Sequence, residues 1–244
     1  MRAAVDVEYR PMQDKPLKVE FHTHSGDDPY DDIPYSSERL IDEMARQGYD
    51  ALAITNHNYQ CHNDRLEAYA KERGVLLIKG FELTYEDQHI LLINFDEPEE
   101  IKGPDDIARM KGPDNLVVAA HPYFPWAPSC RRLLESRPAL FDAVEFSHLY
   151  NRMIDFNRKA LAKARELGLP LVGTSDAHTL GQIGYTCTLV YSEKSTEAII
   201  AAVKAGRCEV VTRPFPSMSF VGVIAKMKYA SIMRIIKDVV KRKK

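Results

Sequence analysis

The chain has 244 residues, 45% of them hydrophobic, which is enough for one substantial core and predicts a single large α/β domain. Its net charge of -2 gives no general attraction to nucleic acid or to an acidic membrane. We expect a cytoplasmic protein with reduced thiols and no cysteine-based zinc site. Its four cysteines form no CxxC pair, its N-terminus lacks the apolar stretch of a secretory signal, and no apolar run approaches transmembrane length.

Short β-branched or apolar runs alternate with segments of helical periodicity. The predicted strands are Leu17–Phe21, Ala51–Thr55, Val75–Ile78, Ile90–Phe95, Leu116–Ala120, Phe141–Phe146, Leu169–Gly173, Thr186–Tyr191 and Cys208–Val211. The predicted helices are Ser36–Gln47, Asp64–Arg73, Pro104–Met110, Arg152–Leu167 and Ser195–Ala205. Val75–Ile78 and Ile90–Phe95 could pair around the turn Tyr85–Gln88. Repeated strand–helix units favour a parallel sheet covered by helices, and their number favours a closed barrel over an open sheet.

Residues 1–214 fit this one domain, whereas residues 215–244 have a different pattern. Apolar residues such as Ile232, Ile235 and Ile236 share one helical face, and a basic run ends the chain at Lys241–Lys244. This pattern predicts an amphipathic C-terminal helix. The helix either packs on the domain with a solvated basic end, or contacts a membrane surface or an anionic polymer.

Histidines and carboxylates collect where the predicted strands end. His22 and His24 follow the first strand, and Asp176 and His178 follow the strand that ends at Gly173. Residues at i and i+2 face the same side of an extended chain, so both members of each pair could reach one ion. The other candidates near strand ends are His57, Glu82 and His121, together with His89 at the start of a strand.

The C-terminal ends of barrel strands form a single rim, so these side chains are expected to converge there. Imidazole and carboxylate ligands without thiolate suit zinc, manganese or iron. The number of ligands predicts two or three ions, with Glu82 or Asp176 as a bridge. A strand-end histidine can instead be structural, and Glu145 and His148 remain open between metal ligation, hydrogen-bonding support and simple packing.

In their order along the chain, these residues resemble the PHP (polymerase and histidinol phosphatase) family of metal-dependent phosphoesterases. The resemblance implies a distorted, TIM-barrel-like (β/α)7 fold with a trinuclear metal centre. It implies His22, His24, Glu82 and Asp176 at the first metal, Glu82, His89 and His121 at the second, and His57 and His178 at the third. The matching segments are Phe21–His24, Leu52–Asn58, Gly80–Leu83, His89, Ala120–Pro122, Val144–Phe146 and Gly173–His178.

Two departures from the family pattern concern the third metal. Asn56 stands where the family usually has aspartate, and this loss of charge would make a neighbouring histidine less basic. The loop Ser25–Pro34 is longer than the family's loop at this place. Any one of its aspartates could complete the third site, or the loop could simply be acidic and solvated; they are Asp27, Asp28, Asp31 and Asp32.

Our leading hypothesis is hydrolysis of a small-molecule phosphate monoester through a metal-bridged hydroxide, with His57, Glu82 and Asp176 as catalytic residues. Arg131 and Arg152 follow strands that carry candidate ligands and could bind the phosphate. Nearby aromatic residues could wall the substrate site or only pack their loop onto the domain; they are Tyr123, Phe124 and Trp126.

Three other functions compete with this interpretation, and the sequence does not predict an oligomeric state. One is a phosphodiesterase or 5′-end nuclease on short oligonucleotides, although the near-neutral net charge offers little affinity for a phosphate backbone. Another is a metal-binding accessory module without turnover. The third is a metal-dependent amidohydrolase, for which Lys79 is the only near candidate for a bridging lysine.

Overall fold

The computed structural model describes residues 15–96, 98–125, 128–216, 220 and 222–223. These residues form a mixed α/β fold, as predicted. Within them the strands and α-helices follow one another as β1 (Leu17–Glu20), α1 (Ser37–Arg46), β2 (Ala51–Ala53), α2 (Asp64–Glu72), β3 (Leu76–Ile78), β4 (Gly80–Tyr85), β5 (Gln88–Ile93), α3 (Pro104–Met110), β6 (Leu116–Ala119), α4 (Arg131–Ser136), β7 (Ala143–Ser147), α5 (Asn157–Leu167), β8 (Leu171–Thr174), β9 (Thr186–Val190), α6 (Thr196–Lys204) and β10 (Cys208–Thr212).

The strands form two five-stranded sheets, in the orders β10-β9-β1-β2-β3 and β4-β5-β6-β7-β8. Neighbours are parallel from β1 to β3 and from β6 to β8, whereas β5 and β9 run antiparallel to their neighbours. Two isolated parallel bridges join the sheets. One pairs Thr23 with Ala177, both just past strand ends, and the other pairs His57, past the end of β2, with Glu82 inside β4. The two sheets do not close into one continuous barrel, so the seven-stranded barrel stays an expectation.

Side-chain alternation along the strands separates an inner core from an outer one. In β5, Leu91 and Ile93 pack in the inner core with residues of both sheets, and Ile90 and Leu92 pack in the outer core against helices. This alternation follows from the period of two residues in a strand. The same alternation directs one face of β4 and β5 toward the space above the inner core. The candidate ligands lie in that space.

Helix ends follow the capping signals in the sequence. The Ser36 side chain accepts a hydrogen bond from the backbone N–H of Arg39 and caps α1, and Gly168 ends α5 with a positive φ of 68°. The start of α5 differs from the prediction, because the Asn151 side chain accepts hydrogen bonds from the N–H groups of Met153 and Ile154. This turn keeps the segment out of the helix, so α5 begins at Asn157 and Arg152 lies in a loop.

Two elements were not predicted, and one pairing was predicted wrongly. Strand β4 (Gly80–Tyr85) pairs with β5 in a hairpin, whereas β3 pairs with β2. The proposed pairing of Val75–Ile78 with Ile90–Phe95 is therefore wrong. Helix α4 (Arg131–Ser136) lies in a segment for which the sequence predicts no element.

Past β10, the chain packs across the loops that follow β6 and β7. Phe215 and Phe220 are buried in a small cluster with Phe124 and Leu149. The predicted C-terminal helix lies almost wholly outside the described residues, which include only three positions beyond residue 216. Among the described residues, no helix has both the length and the apolar character needed to cross a membrane.

Candidate metal centre

The two predicted i, i+2 pairs meet at one end of the sheets. His22 and His24 follow β1 and are fully buried, with their Nε2 atoms 3.3 Å apart. Both Nε2 atoms face Oδ1 of Asp176, at 3.3 Å and 3.2 Å. The loops after β1 and β8 are adjacent because the bridge between Thr23 and Ala177 joins them. The spacing argument made from the sequence therefore agrees with the contacts of these three side chains.

Glu82 lies at the centre of the histidines. Its Oε1 lies 2.8 Å from Nδ1 of His89, 3.3 Å from Nε2 of His121 and 3.4 Å from Nε2 of His22. Its Oε2 lies 3.1 Å from Nε2 of His57. Glu82 is 1% exposed and sits in the middle of β4, whereas the sequence interpretation placed it after a strand. Its two oxygens point to different histidines, as a ligand shared between ions requires.

His89 reaches the same place from the opposite chain direction. It is the second residue of β5, which runs antiparallel to both β4 and β6. The beginning of an antiparallel strand lies beside the ends of its neighbours. The position of His89 at a strand start is therefore what brings it to Glu82.

Three overlapping groups of side chains have ligand atoms within 4.8 Å of one another and could each hold a metal ion. Imidazole nitrogens and carboxylate oxygens without thiolate fit divalent transition metals. These buried nitrogen and oxygen atoms lie so close together that a shared metal ion would satisfy them better than their contacts with one another do. The groups are His22, His24 and Asp176; His22, Glu82 and His121; and His24, His57 and Glu82.

Glu145 supports this cluster from behind. It is fully buried, and its Oε1 accepts a hydrogen bond of 2.8 Å from Nδ1 of His22, which leaves Nε2 of that ring facing the cluster. The Thr174 hydroxyl also donates to Oε1, and the other oxygen, Oε2, accepts the backbone N–H of His121. A carboxylate in this position fixes the tautomer and orientation of a metal-binding histidine. Of the three roles left open for Glu145, these contacts correspond to hydrogen-bonding support.

Asp28 makes comparable contacts with two other histidines. Its Oδ2 lies 3.1 Å from Nδ1 of His24 and 2.9 Å from Nδ1 of His57. Asn56 instead uses its amide on Ser25, accepting from the backbone N–H at 2.9 Å and donating to the hydroxyl at 3.0 Å. The carboxylate beside His57 is thus supplied by the long loop and not by position 56.

Opposite charges inside the cluster shift several pKa values. Burial alone would raise the pKa of Glu82, but the charges of His89, His22 and His57 hold it well below its usual value. Burial alone would lower the pKa of His22, but Asp176, Glu82 and Glu145 raise it well above its usual value. Without an ion, the carboxylates thus stabilise imidazolium cations. Bound metal ions would take over this positive charge.

The cluster opens on the side of three partly exposed residues. Side-chain exposure is 19% for Asp176, 32% for His178 and 43% for Asp31. It is 1% or less for Glu82 and for the HxH pair, His22 and His24. Nε2 of His178 lies 3.0 Å from Oδ2 of Asp31, and the rings of His57 and His178 are 6.3 Å apart. A substrate would approach from this side.

Several other candidates lie outside these contacts. Arg131 pairs with Glu135 on α4 at 3.0 Å, and Arg152 is exposed in its loop. Lys79 is 40% exposed and pairs with Asp96 at 2.6 Å, away from the bridging position that an amidohydrolase would need. Trp126 lies outside the described residues.

Two neighbours of the cluster have packing and hydrogen-bonding roles. Phe124 is 6% exposed and packs in the small cluster with Phe215, which corresponds to the packing alternative. His148 is buried against Phe215, with its Nε2 3.3 Å from the side-chain nitrogen of Gln182. Neither contributes to the three groups of potential ligands.

Sequence reasoning overlooked Glu20, a fully buried residue of β1. Its Oε1 accepts the backbone N–H groups of Phe21, His22 and Ser175, so it ties the HxH segment to the segment before Asp176. Burial raises the pKa of Glu20 to about 8, so the side chain is mostly neutral near pH 7. The signal that could have identified Glu20 is its position among the apolar residues of a predicted strand.

Comparisons with known proteins find a matching family model and a related sequence. A family model described as PHP-associated matches residues 155–208. An uncharacterized protein of Methanocaldococcus jannaschii is 31% identical over 127 residues, which cover 51% of this chain and 72% of that protein.

Two solved structures share the fold. A two-domain protein from Bacteroides vulgatus, which contains a predicted PHP-like metal-dependent phosphoesterase, is 24% identical with a TM-score of 0.62; the match covers 81% of this chain and 65% of that one. The lesion-specific endonuclease EndoQ from Pyrococcus furiosus is 18% identical with a TM-score of 0.57; the match covers 80% of this chain and 57% of the endonuclease. Both matches thus leave at least a third of the other protein uncovered.

Proposed function

Because this chain belongs to the PHP family, we propose that it is a metal-dependent phosphoesterase that hydrolyses a small-molecule phosphate monoester. The observation that carries this proposal is the convergence of four histidines and two carboxylates, from both sheets, in three overlapping ligand groups. In this proposal, strands from both sheets make up the distorted seven-stranded barrel that the family resemblance implies, with the ligands on its rim.

We assign the ligands of two or three divalent zinc, manganese or iron ions. His22, His24, Asp176 and Glu82 would hold the first ion, and Glu82, His89 and His121 the second. The partly exposed side would hold the third, with His57, His178 and Asp31. Ions at these places would make a water molecule more acidic and neutralise charge on the phosphoryl oxygens.

The protein side chains divide the remaining work between the buried and the exposed parts of the cluster. Glu82 and His57 lie deep, and Glu82 holds neighbouring histidines with both of its oxygens. Asp176 and His178 border the opening and would face the phosphoryl group. His178 donates from Nδ1 to the backbone carbonyl of Asp176, so its Nε2 is the atom that would bind the third ion at the opening.

Substrate recognition remains assigned to the two arginines. Arg152 is exposed in the loop after β7 and would bind a phosphate at the opening. Arg131 would first have to release Glu135. The second candidate function is a phosphodiesterase or nuclease, because the chain shares its fold with a lesion-specific endonuclease.

The test measures metal content by elemental analysis and hydrolysis of an aryl phosphate monoester and diester with added manganese. We expect two to three metal equivalents and a preference for the monoester. Asp176→Ala should lose metal and turnover together, whereas His62→Ala should keep both, because His62 contacts Glu67 and not the cluster.

The other outcomes are equally informative. A preference for the diester would favour the nuclease, and metal without turnover on either ester would favour an accessory module. A chain that binds no transition metal after reconstitution would refute the proposed function.

A further inference from the structure

The loop after the HxH pair contains four aspartates, and only one of them is completely buried beside the histidines. The side chain of Asp28 has no exposed surface, whereas that of Asp31 is 43% exposed and Asp32 is exposed. Asp27 accepts a hydrogen bond from Ser37, outside the cluster. Their surroundings therefore separate these residues, although the sequence gives them no distinguishing pattern.

Every acceptor position of the Asp28 carboxylate is engaged. Oδ1 accepts the backbone N–H groups of Tyr30 at 2.8 Å and Asp31 at 3.0 Å, which forms a tight turn in the loop. Oδ2 accepts a hydrogen bond from Nδ1 of His24 at 3.1 Å. It also accepts hydrogen bonds from Nδ1 and from the backbone N–H of His57, each at 2.9 Å. A carboxylate offers about four lone-pair sites, so these five donors leave no free one for a metal ion.

The two histidine rings present their other nitrogen to the cluster. Nε2 of His24 lies 3.2 Å from Asp176, and Nε2 of His57 lies 3.1 Å from Glu82. Because Nδ1 of each ring donates to Asp28, each Nε2 keeps the lone pair that metal binding requires. The two rings stack with centroids 4.5 Å apart, so one carboxylate can serve both.

We propose that Asp28 is a positioning residue shared by His24 and His57, and that it is not itself a metal ligand. The inference rests on the metal site of the proposed function and specifies which loop residue supports it. Asn56, bonded to Ser25 through both its donor and its acceptor, holds the start of this loop and leaves the charged role to Asp28.

The first measurement uses the unaltered chain loaded with Zn²⁺, an ion without unpaired electrons. Long-range ¹H–¹⁵N NMR spectra report which nitrogen of each histidine carries a proton. We expect His24 and His57 to be protonated at Nδ1 and zinc-bound at Nε2. The opposite tautomer at either histidine would overturn the proposal, and no variant is needed for this result.

The second measurement compares Asp28→Asn with the exposed control Asp32→Asn by zinc titration against a chromophoric chelator. We expect Asp28→Asn to bind the same number of zinc equivalents as the unaltered chain, about 10- to 100-fold more weakly. The control should bind like the unaltered chain.

Loss of one whole equivalent in Asp28→Asn would make Asp28 a ligand, and unchanged affinity would remove its positioning role; either result refutes the inference. Zinc binding by the unaltered chain separates these results from failure of the proposed function. If that chain binds no zinc, the metal site itself is wrong.

Discussion

Replacing Glu82 by glutamine tests the centre of the proposed metal site. The substitution keeps the shape of a side chain that is 1% exposed, but removes the charge that faces His89 at 2.8 Å and His57 at 3.1 Å. Glu82 belongs to two of the three ligand groups, so its loss should weaken metal binding at least as much as loss of a supporting residue, which costs up to about 100-fold.

A 100-fold weaker affinity removes about 2.7 kcal/mol of metal-dependent stability when the metal concentration is well above both dissociation constants. For a chain of this size, about 2–4 °C per kcal/mol translates this loss into a midpoint lowered by roughly 5–11 °C. Thermal unfolding is measured with and without saturating manganese, so that the metal-free midpoint isolates any packing cost. Glu72→Gln is the control, because that side chain is 77% exposed. The reasoning is refuted if manganese raises the midpoint of Glu82→Gln as much as that of the unaltered chain.

Three further predictions concern the surroundings of the site. Arg152→Ala and Arg131→Ala should each raise KM for the aryl phosphate several-fold with little change in kcat, and steady-state kinetics with unchanged KM would exclude phosphate binding by that arginine. Burial lowers the pKa of His148 from its usual 6.5 to about 4, so its protonation favours the unfolded chain. Its contribution is complete above about pH 6.5 and falls by roughly 3 kcal/mol toward pH 4, so metal-free His148→Gln should lose less stability than the unaltered chain between urea titrations at about pH 7 and about pH 4.5. Leu91→Ala should lower the free energy of unfolding by about 2–5 kcal/mol in urea titration, because Leu91 is fully buried in the inner core; a change below about 1 kcal/mol would contradict this packing.

The sequence predicted most elements and most members of the cluster because both depend on local patterns. Period-two and helical spacing placed the strands and helices to within a few residues, apart from the start of α5. The rule that parallel strands end at one edge then brought His22, His57 and Asp176 together without any knowledge of long-range contacts. These three residues do contact shared partners in the structure.

Strand β4 was missed because its alternation is inverted. Its apolar residues Phe81 and Leu83 face the helices in the outer core, and Glu82 points inward to the histidines. A polar residue on the inward face resembles a loop or a surface strand when only the sequence is read. Metal binding would require the polar residue Glu82 inside the protein, and this residue is the reason that the sequence does not predict the strand.

The role of Asp28 could not be predicted for a different reason. The loop Ser25–Pro34 has no periodicity, so the sequence cannot say which aspartate turns inward. That choice depends on the turn that Asp28 makes with Tyr30 and Asp31 and on the neighbouring chain at His57. Only the three-dimensional arrangement of two separate loops determines it.

The β4–β5 hairpin makes metal binding a check on correct strand registration. Glu82 pairs opposite Leu91, and His89 pairs opposite Thr84, which puts both candidate ligands on one face of the hairpin. If either strand shifted by a single residue, its ligand would point to the helices instead. A misaligned hairpin would no longer bring Glu82 and His89 together. Ions present during folding would therefore selectively stabilise chains in which this hairpin has its native register.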